Sequence, residues 1–481
     1  MNLRQKAVKG VVWSAIQGWG TQAIAFIVFF VLARLLEPEA FGLVALAGVF
    51  LAFIQIFIDQ GLSTAIVQRQ ELEPEHLDSA FWTNLGISLL LTLFGIAAAG
   101  FVAELFKEPQ LAPILRWLSL SFLFIGLNGV QQAIFERQLA FKALAIRSMV
   151  AVVAGGVVGV VMAFLDFGVW SLVGKQLVNG VVEVIVLWGA SNWRPGFKVS
   201  IKHFRELFSF GINLVGLNIL GFLNRRLDDF LIGYYLGPLA LGYYSISYKL
   251  LLIMTNLLTS VTTKVALPTF SRLKQEPEKL RRAFYTVTQL TSLISFPTFM
   301  GMAALASELI PGLFGEKWLP SIPVMQILAF IGIIHSVAYF NGSVMMSMGK
   351  PSWQLKLNCM HTIANVVLFF VAVRWGIEAV AAVYVIRSYL LTPVDLLVIR
   401  KLINIKLTTY VYQYIVPFTG TLGMVAAILI AKYLLANFIN LYTLIVVCSL
   451  LGTAMYTLII TLIAPKLIHK VMNLIKLTFS V

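Results

Sequence analysis

Long apolar runs, punctuated by charged residues or by Pro and Gly, succeed one another from one end of the chain to the other. A helix needs about 20 mostly apolar residues to cross the hydrocarbon core of a bilayer, and these runs have that length. Set against their punctuation, they predict fourteen membrane spans, at roughly 11–35, 41–66, 80–103, 113–135, 146–165, 169–190, 207–234, 241–266, 284–306, 322–348, 356–374, 378–399, 411–433 and 441–464. The connections between them are too short to hold a soluble catalytic domain. The even count places both ends of the chain on one side of the membrane.

Lys and Arg identify that side, because they collect in cytoplasmic connections. One alternating set of segments carries Arg4, Lys6 and Lys9 in the N-terminal tail, Arg194, Lys198, Lys202 and Arg205 after the sixth span, and Lys466, Lys470 and Lys476 in the C-terminal tail. The same set gains Lys264, Arg272, Lys274, Lys279, Arg281 and Arg282 after the eighth span. The opposite set holds Lys107 and Lys317, with Arg34, Arg374 and Lys432 at its borders. Both termini are expected to be cytoplasmic. The basic start MNLRQKAVKG leads into an apolar run without a small-residue cleavage site, so it reads as a retained first span and not a signal peptide.

Composition agrees with the pattern. The 481 residues are 59% hydrophobic with a mean hydropathy of +0.89, against an apolar share of roughly 45–50% in soluble domains. The net charge of +15 would suggest nucleic acid in a soluble protein; here it belongs to the loops, and no nucleic-acid partner is expected. Cys359 and Cys448 lie far apart in apolar stretches, which predicts no disulfide, no metal site and no cofactor. SMGKPS at 347–352 has Val344 where a phosphate-cradling loop needs Gly, and neither HExxH nor GxSxG occurs. The chain is therefore expected not to be an enzyme.

A repeat organises the spans. The turn Leu36-Glu37-Pro38-Glu39-Ala40-Phe41-Gly42 recurs as Leu236-Gly237-Pro238-Leu239-Ala240-Leu241-Gly242, so Pro38, Ala40 and Gly42 match residues exactly 200 positions on. Pro starts a short turn between two spans, and Gly admits close helix approach at the start of the next. Both copies fall between equivalent spans, first/second and seventh/eighth, in the same orientation. The expected architecture is an all-α polytopic membrane protein: a six-span lobe over 1–200, a second over 201–408 related by an axis along the membrane normal, and two further spans with a tail over 409–481.

Ionisable residues inside spans are the candidates for chemistry, since hydrocarbon tolerates them only beside protein or water. The densest cluster is Asn224-Arg225-Arg226-Leu227-Asp228-Asp229 on the seventh span, where Arg225 should meet Asp228 and Asp229, and Arg226 should meet Asp229. Those pairs could simply lock the helix, or part of the cluster could line a hydrated face together with Asn213 and Asn218. Lys175 and Glu183 on the sixth span, Lys249 on the eighth, His335 on the tenth and Arg387 on the twelfth lie at mid-depth. Asn224, Arg225, Arg226, Lys175, Lys249, His335 and Arg387 are the substrate candidates; Asp228, Asp229, Glu183 and Asp59, which sits with Gln55 and Gln60, are candidates for ion coupling. The cationic excess suits a phosphate or pyrophosphate. Loop stretches from Trp193 to Glu206 and from Pro268 to Phe284 are basic and amphipathic, and Arg281 and Arg282 could meet a lipid phosphate.

Four stretches, LARLLEPEAFGLVAL, DQGLSTAIVQRQ, ERQLAFKALAIRS and NRRLDDFLIGYYLGPLALGYYSISYKL, taken in order, resemble the polysaccharide-exporter branch of the MOP superfamily, similar to Wzx-type flippases and to colanic-acid or teichuronic-acid exporters. The resemblance implies a MATE-like twelve-span core with two appended spans in a bacterial inner membrane. It implies alternating access and a cargo of undecaprenyl-pyrophosphate-linked oligosaccharide, moved for surface polysaccharide synthesis, with membrane lipids and a polysaccharide polymerase as partners. A monomer is expected, since each lobe can bury its polar face against the other. Rival readings are a multidrug or cation antiporter, a peptidoglycan-precursor flippase, and a membrane-embedded glycosyltransferase or scaffold.

Overall fold

A computed structural model of the chain describes residues 3–58, 66–67, 73–197, 201–465 and 467. Among the described residues, all regular structure is helical. In order, the helices are α1 (Leu3–Leu35), α2 (Pro38–Gln55), α3 (Pro74–Leu105), α4 (Leu111–Ser119), α5 (Ser121–Arg137), α6 (Phe141–Phe164), α7 (Trp170–Ala190) and α8 (Ile201–Arg272). They continue as α9 (Pro277–Ala304), α10 (Ala306–Phe314), α11 (Ser321–Ala338), α12 (Asn341–Ser347), α13 (Pro351–Ala372), α14 (Ile377–Ile403), α15 (Leu407–Leu435) and α16 (Leu441–Ile463).

Twelve of the described helical stretches are long and apolar enough to cross a membrane, or thirteen with the bent pair α9–α10. One of the twelve, Asn218–Leu258 within α8, has 41 residues. At 1.5 Å per residue it would extend about 60 Å, twice the ~30 Å hydrocarbon core. It is broken at Gly237, whose φ of 83° lies where only glycine is comfortable. Counted as two spans, it brings the total to the fourteen that the sequence predicts.

Boundaries differ from expectation in informative ways. α2 ends at Gln55, short of residue 66, because the chain tightens there to i→i−3 bonds, with Phe57 N donating to Ile54 O and Ile58 N to Gln55 O at 3.0 and 3.1 Å. Asp59 and Gln60 lie outside the described residues, as do the side chains of Asn213, Lys202, Arg205 and Lys264. Other helices begin before their apolar runs. α3 starts at Pro74, where Pro occupies the first turn and the Glu73 and His76 side chains cap each other's backbone.

By packing, the chain divides into two compact units, Met1–Ser245 and Ile246–Val481. In the first, α6 packs on α1 and α7, and α3 packs on α4 and α5. In the second, α9 is the hub against α11 and α15, α14 packs on α11 and α13, and α15 packs on α16. Large apolar side chains face outward throughout, with Leu90, Phe101 and Leu462 67%, 70% and 73% exposed. Water would penalise such a surface, whereas lipid is its natural solvent.

Within the first unit the two copies of the repeat touch reciprocally. A Cβ added at Gly42 would collide with the Pro238 carbonyl oxygen, and one added at Gly242 would collide with the Pro38 carbonyl oxygen. Each copy thus supplies the glycine that the other copy's proline needs.

The second unit solves a different problem. Pro297 has no N–H to offer the Leu293 carbonyl one turn back, and Tyr456 Oη of α16 donates to that oxygen at 2.7 Å. Eight residues on, α9 and α10 meet at a 76° bend. Lys432 Nζ of α15 reaches the bend, donating to Ala304 O and Ser307 Oγ at 2.9 and 3.0 Å and pairing with Glu308 at 2.9 Å. One ammonium caps the carbonyl end of α9 and neutralises the acid in the first turn of α10. Leu305, Met424, Ile428, Leu444 and Cys448 form the apolar shell beneath. The last two helices therefore brace the ninth span.

Two expectations follow. Gly42→Ala and Gly242→Ala each force two backbones apart, so each should lower the melting temperature of the detergent-purified protein, by about 1–3 kcal/mol of stability; unchanged melting in both would mean that the contact is dispensable. Lys432→Met leaves the largely buried Glu308 carboxylate without its cation and with the Ser307 hydroxyl as its remaining donor among the described residues, at a cost of about 3 kcal/mol, most of which the double variant Lys432→Met/Glu308→Gln should recover. Additive losses in that cycle would show that the two side chains do not act as a pair.

Candidate functional site

The cluster expected on the seventh span is present on α8 just before its break, but its pairing is sparser than helical spacing implies. Arg226 Nη1 donates to Asp229 Oδ2 at 3.0 Å. Asp228 turns the other way and accepts from Tyr244 Oη at 2.8 Å, a bond that ties the two sides of the Gly237 break together. Arg225 is exposed and, among the described residues, pairs with neither aspartate. Its guanidinium lies back toward Gly221, so the expected Arg225 pairs do not form. The physical reason is burial: Asp228 and Asp229 are 4% and 5% exposed and enclosed by protein, while the Arg225 side chain is exposed and runs back along the helix toward Gly221. The second carboxylate oxygen of Asp228 is buried without a hydrogen-bond partner among the described residues.

In the second unit the chemistry gathers around Arg387 on α14, 8% exposed. Arg387 Nη1 contacts His361 Nδ1 of α13 at 2.7 Å, and His361 Nε2 contacts Asp395 Oδ1 at 3.1 Å. Arginine can only donate, so Nδ1 is the acceptor and Nε2 carries the hydrogen given to Asp395. The guanidinium also lies over the Tyr384 ring at 5.2 Å. His335 meets the same ring edge-on at 6.2 Å, and Tyr248 approaches it at 6.3 Å. Arg387, His335 and the aromatic pair thus form one constellation drawn from α8, α11, α13 and α14.

The remaining candidates are scattered. Lys175 on α7 is half-buried with its stem against Gly159 of α6. Glu183 is half-buried, Lys249 is exposed, and Asn224 is half-buried. Arg281 and Arg282, expected in a loop, lie in the opening turns of α9, and Arg281 donates to Asn404 O at 3.2 Å, holding the left-handed turn that follows α14. The stretch beginning at Trp193 is pinned to the first unit: Gly196 N donates to Asp78 Oδ1 at 2.9 Å and Trp82 Nε1 donates to Gly196 O at 2.7 Å.

His361, Asp395 and Tyr384 are absent from the sequence-derived set, as is Arg147 on α6, the other arginine buried among the described residues. Asp395 lies eight residues beyond Arg387, outside the i,i+3 and i,i+4 spacings that flag pairs on one helix. His361 stands near the polar start of its span, where a histidine attracts no notice.

Comparison with known proteins fixes the family. Residues 31–323 match the model of the family described as polysaccharide biosynthesis protein. The lipopolysaccharide biosynthesis protein WzxC of Escherichia coli (strain K12) is 28% identical over 409 residues, 84% of this chain and 82% of that protein. The succinoglycan biosynthesis transport protein ExoT of Rhizobium meliloti (strain 1021) is 32% identical over 322 residues, 67% of this chain and 65% of that one. Among solved structures, the lipid II flippase MurJ superposes with a TM-score of 0.77 at 14% identity, over 95% of this chain and 100% of that one. A multidrug resistance MATE family transporter of the MOP superfamily does so with a TM-score of 0.62 at 18% identity, over 80% and 94%. With that match covering more than half of its length, the chain belongs to the polysaccharide biosynthesis protein family, a multi-pass membrane protein with the fold of MOP-superfamily transporters.

Proposed function

We propose that the protein is a flippase that moves a lipid-linked oligosaccharide, carried on undecaprenyl pyrophosphate, across a bacterial inner membrane for surface polysaccharide synthesis. One relative is, by name, a transport protein for succinoglycan biosynthesis. The observation that carries the reading is the Arg387–His361–Asp395 network inside the spans of such a chain. A guanidinium buried there and linked to its carboxylate only through an imidazole keeps donors for a pyrophosphate or an acidic sugar. Arg225 adds an exposed cation on a membrane-spanning stretch. The cargo's polar head would cross beside Arg387 while its lipid tail stays in the bilayer.

The same reading places both termini in the cytoplasm, by the distribution of Lys and Arg, and divides the chain into lobes at 1–200 and 201–408 with two further spans at 409–481. It makes the protein a transporter and not a catalyst, acting as a monomer that delivers its cargo to a polymerase. Arg226, Asn224, Lys249, Lys175 and His335 remain substrate candidates, and Asp228, Asp229, Asp59 and Glu183 candidates for ion coupling. The basic excess argues against a cationic drug as cargo.

In a strain lacking its own polysaccharide flippase, expression should restore surface polymer and clear the lipid-linked intermediate from the cytoplasmic leaflet. Failure at confirmed expression with a matched sugar, together with rescue of a strain lacking its peptidoglycan-precursor flippase, would replace the cargo with that precursor. Arg387→Ala and Arg225→Ala should each cut polymer export about tenfold or more, the loss of one charge-assisted contact, at unchanged membrane abundance. Full export by both variants would return these arginines to a structural role.

A further inference from the structure

Arg147 lies in the second turn of α6 and is 8% exposed. Its Nη1 donates to Gln132 Oε1 of α5 at 3.0 Å, and its Nη2 makes a long 3.4 Å contact with Ser148 Oγ. Its Nε is buried without a partner. Among the described residues no carboxylate lies within ion-pair distance of it; the nearest link to one runs through Gln132, whose Nε2 donates to Glu136 Oε1 at 2.8 Å. Ser148 Oγ also accepts from Gln17 Nε2 of α1 at 2.9 Å. With both contacts accepted by that oxygen, its own hydrogen is given to no acceptor among the described residues.

The group is rich in donors and short of acceptors. The Arg147 guanidinium with its orphaned Nε–H and the uncommitted Ser148 hydroxyl stand side by side on α6, held by Gln17 of α1 and Gln132 of α5, and the charge is buried with no direct counterion among the described residues. Burying a charge that way is costly unless an anion completes it. A tetrahedral oxyanion suits the need, because its oxygens can accept from an arginine fork and a hydroxyl at once, from different directions.

We propose that Arg147, with Gln17, Gln132 and Ser148, forms an anion-binding site in the first unit that takes a phosphoryl group of the lipid diphosphate cargo. This assignment of the ligand rests on the flippase reading given above. The site adds a buried arginine to a first lobe whose one cation in the candidate set drawn from the sequence is Lys175. Glu136 acts as the resting counter-charge at one remove, holding Gln132 so that its carbonyl oxygen meets the arginine and not the ligand.

Thermal melting of the full-length protein in detergent tests the site without requiring transport, using farnesyl diphosphate as the probe, with inorganic diphosphate, farnesol and phosphatidylglycerol alongside. Farnesyl diphosphate should raise the melting temperature of the wild type while farnesol does not. In Arg147→Gln its apparent Kd should rise about tenfold or more, and the melting temperature without probe should hold or increase, because an uncompensated buried charge has been removed. Glu136→Gln should bind the probe more tightly than the wild type. A structural arginine predicts the opposite pair of results, a lower melting temperature for Arg147→Gln and an unchanged response to probe, and that outcome overturns the proposal. Stabilisation by phosphatidylglycerol equal to that by farnesyl diphosphate, and lost with Arg147, would make the ligand a lipid headgroup and overturn the cargo assignment. Because the readout is binding, a wild type that answers the probe through Arg147 yet exports no polymer would sink the flippase reading and leave the anion site standing.

Discussion

Hydrocarbon offers no water, so a backbone carbonyl, a polar side chain or a charge inside this protein is costly unless it finds a partner within the chain. That constraint explains why many interior polar groups occur in chains of contacts. The hydroxyls of Thr92, Thr362 and Ser388 bond back to the carbonyls four residues earlier at 2.7–2.8 Å. Ser295 and Ser336 bond each other across α9 and α11 at 2.7 Å. The carbonyl released by Pro297 is claimed by Tyr456, and the carbonyl end at the α9–α10 bend is claimed by Lys432. A ninth span that is both proline-broken and bent would be untenable alone in lipid. The two helices that follow the twelve-span repeat make it tenable, so they belong to the architecture of the second unit.

The repeat has a comparable logic. Prolines fix the turns that follow the first and seventh spans, and each sets its carbonyl against the glycine of the other turn. Gly42 and Gly242 allow the two turns to seat against each other, each glycine beneath the other turn's carbonyl. A side chain at either position would separate both contacts at once, since the arrangement is reciprocal. Sequence identity at the 200-residue offset is thus a trace of a mutual steric requirement.

The span pattern was legible because hydropathy depends on the lipid and on little else. Gly237 and Pro238 correctly marked two spans inside what is otherwise a single run of helix. Family resemblance was legible in the order of several stretches. Pairing was not. The i,i+3 and i,i+4 rules proposed Arg225–Asp228, Arg225–Asp229 and Arg226–Asp229, and the last formed. Asp228 went to Tyr244, sixteen residues away across a break that those rules do not cover. His361 was passed over because its importance comes from α14, and Arg147 because a span drawn from residue 146 put it at a membrane border. The helix in fact begins at Phe141, more than a turn earlier, with polar residues included. In each case the missing information was which helix lies beside which.

The two arginines buried among the described residues share one construction. Arg147 reaches Glu136 through Gln132, and Arg387 reaches Asp395 through His361; each keeps a buried Nε without a partner. They are not related by the 200-residue repeat, since position 347 is Ser347. Inheritance from a duplicated lobe therefore does not account for the likeness, and physics offers a reason for it. A direct, bidentate arginine–carboxylate pair is the more stable way to bury a guanidinium, and it uses up the fork that recognises phosphate. An interposed neutral side chain gives up part of that attraction, screens the carboxylate from an approaching anion, and leaves the guanidinium donors unclaimed. A protein selected only for stability would have closed these pairs. One that must take up an anion, and later release it, gains from holding each carboxylate one residue away.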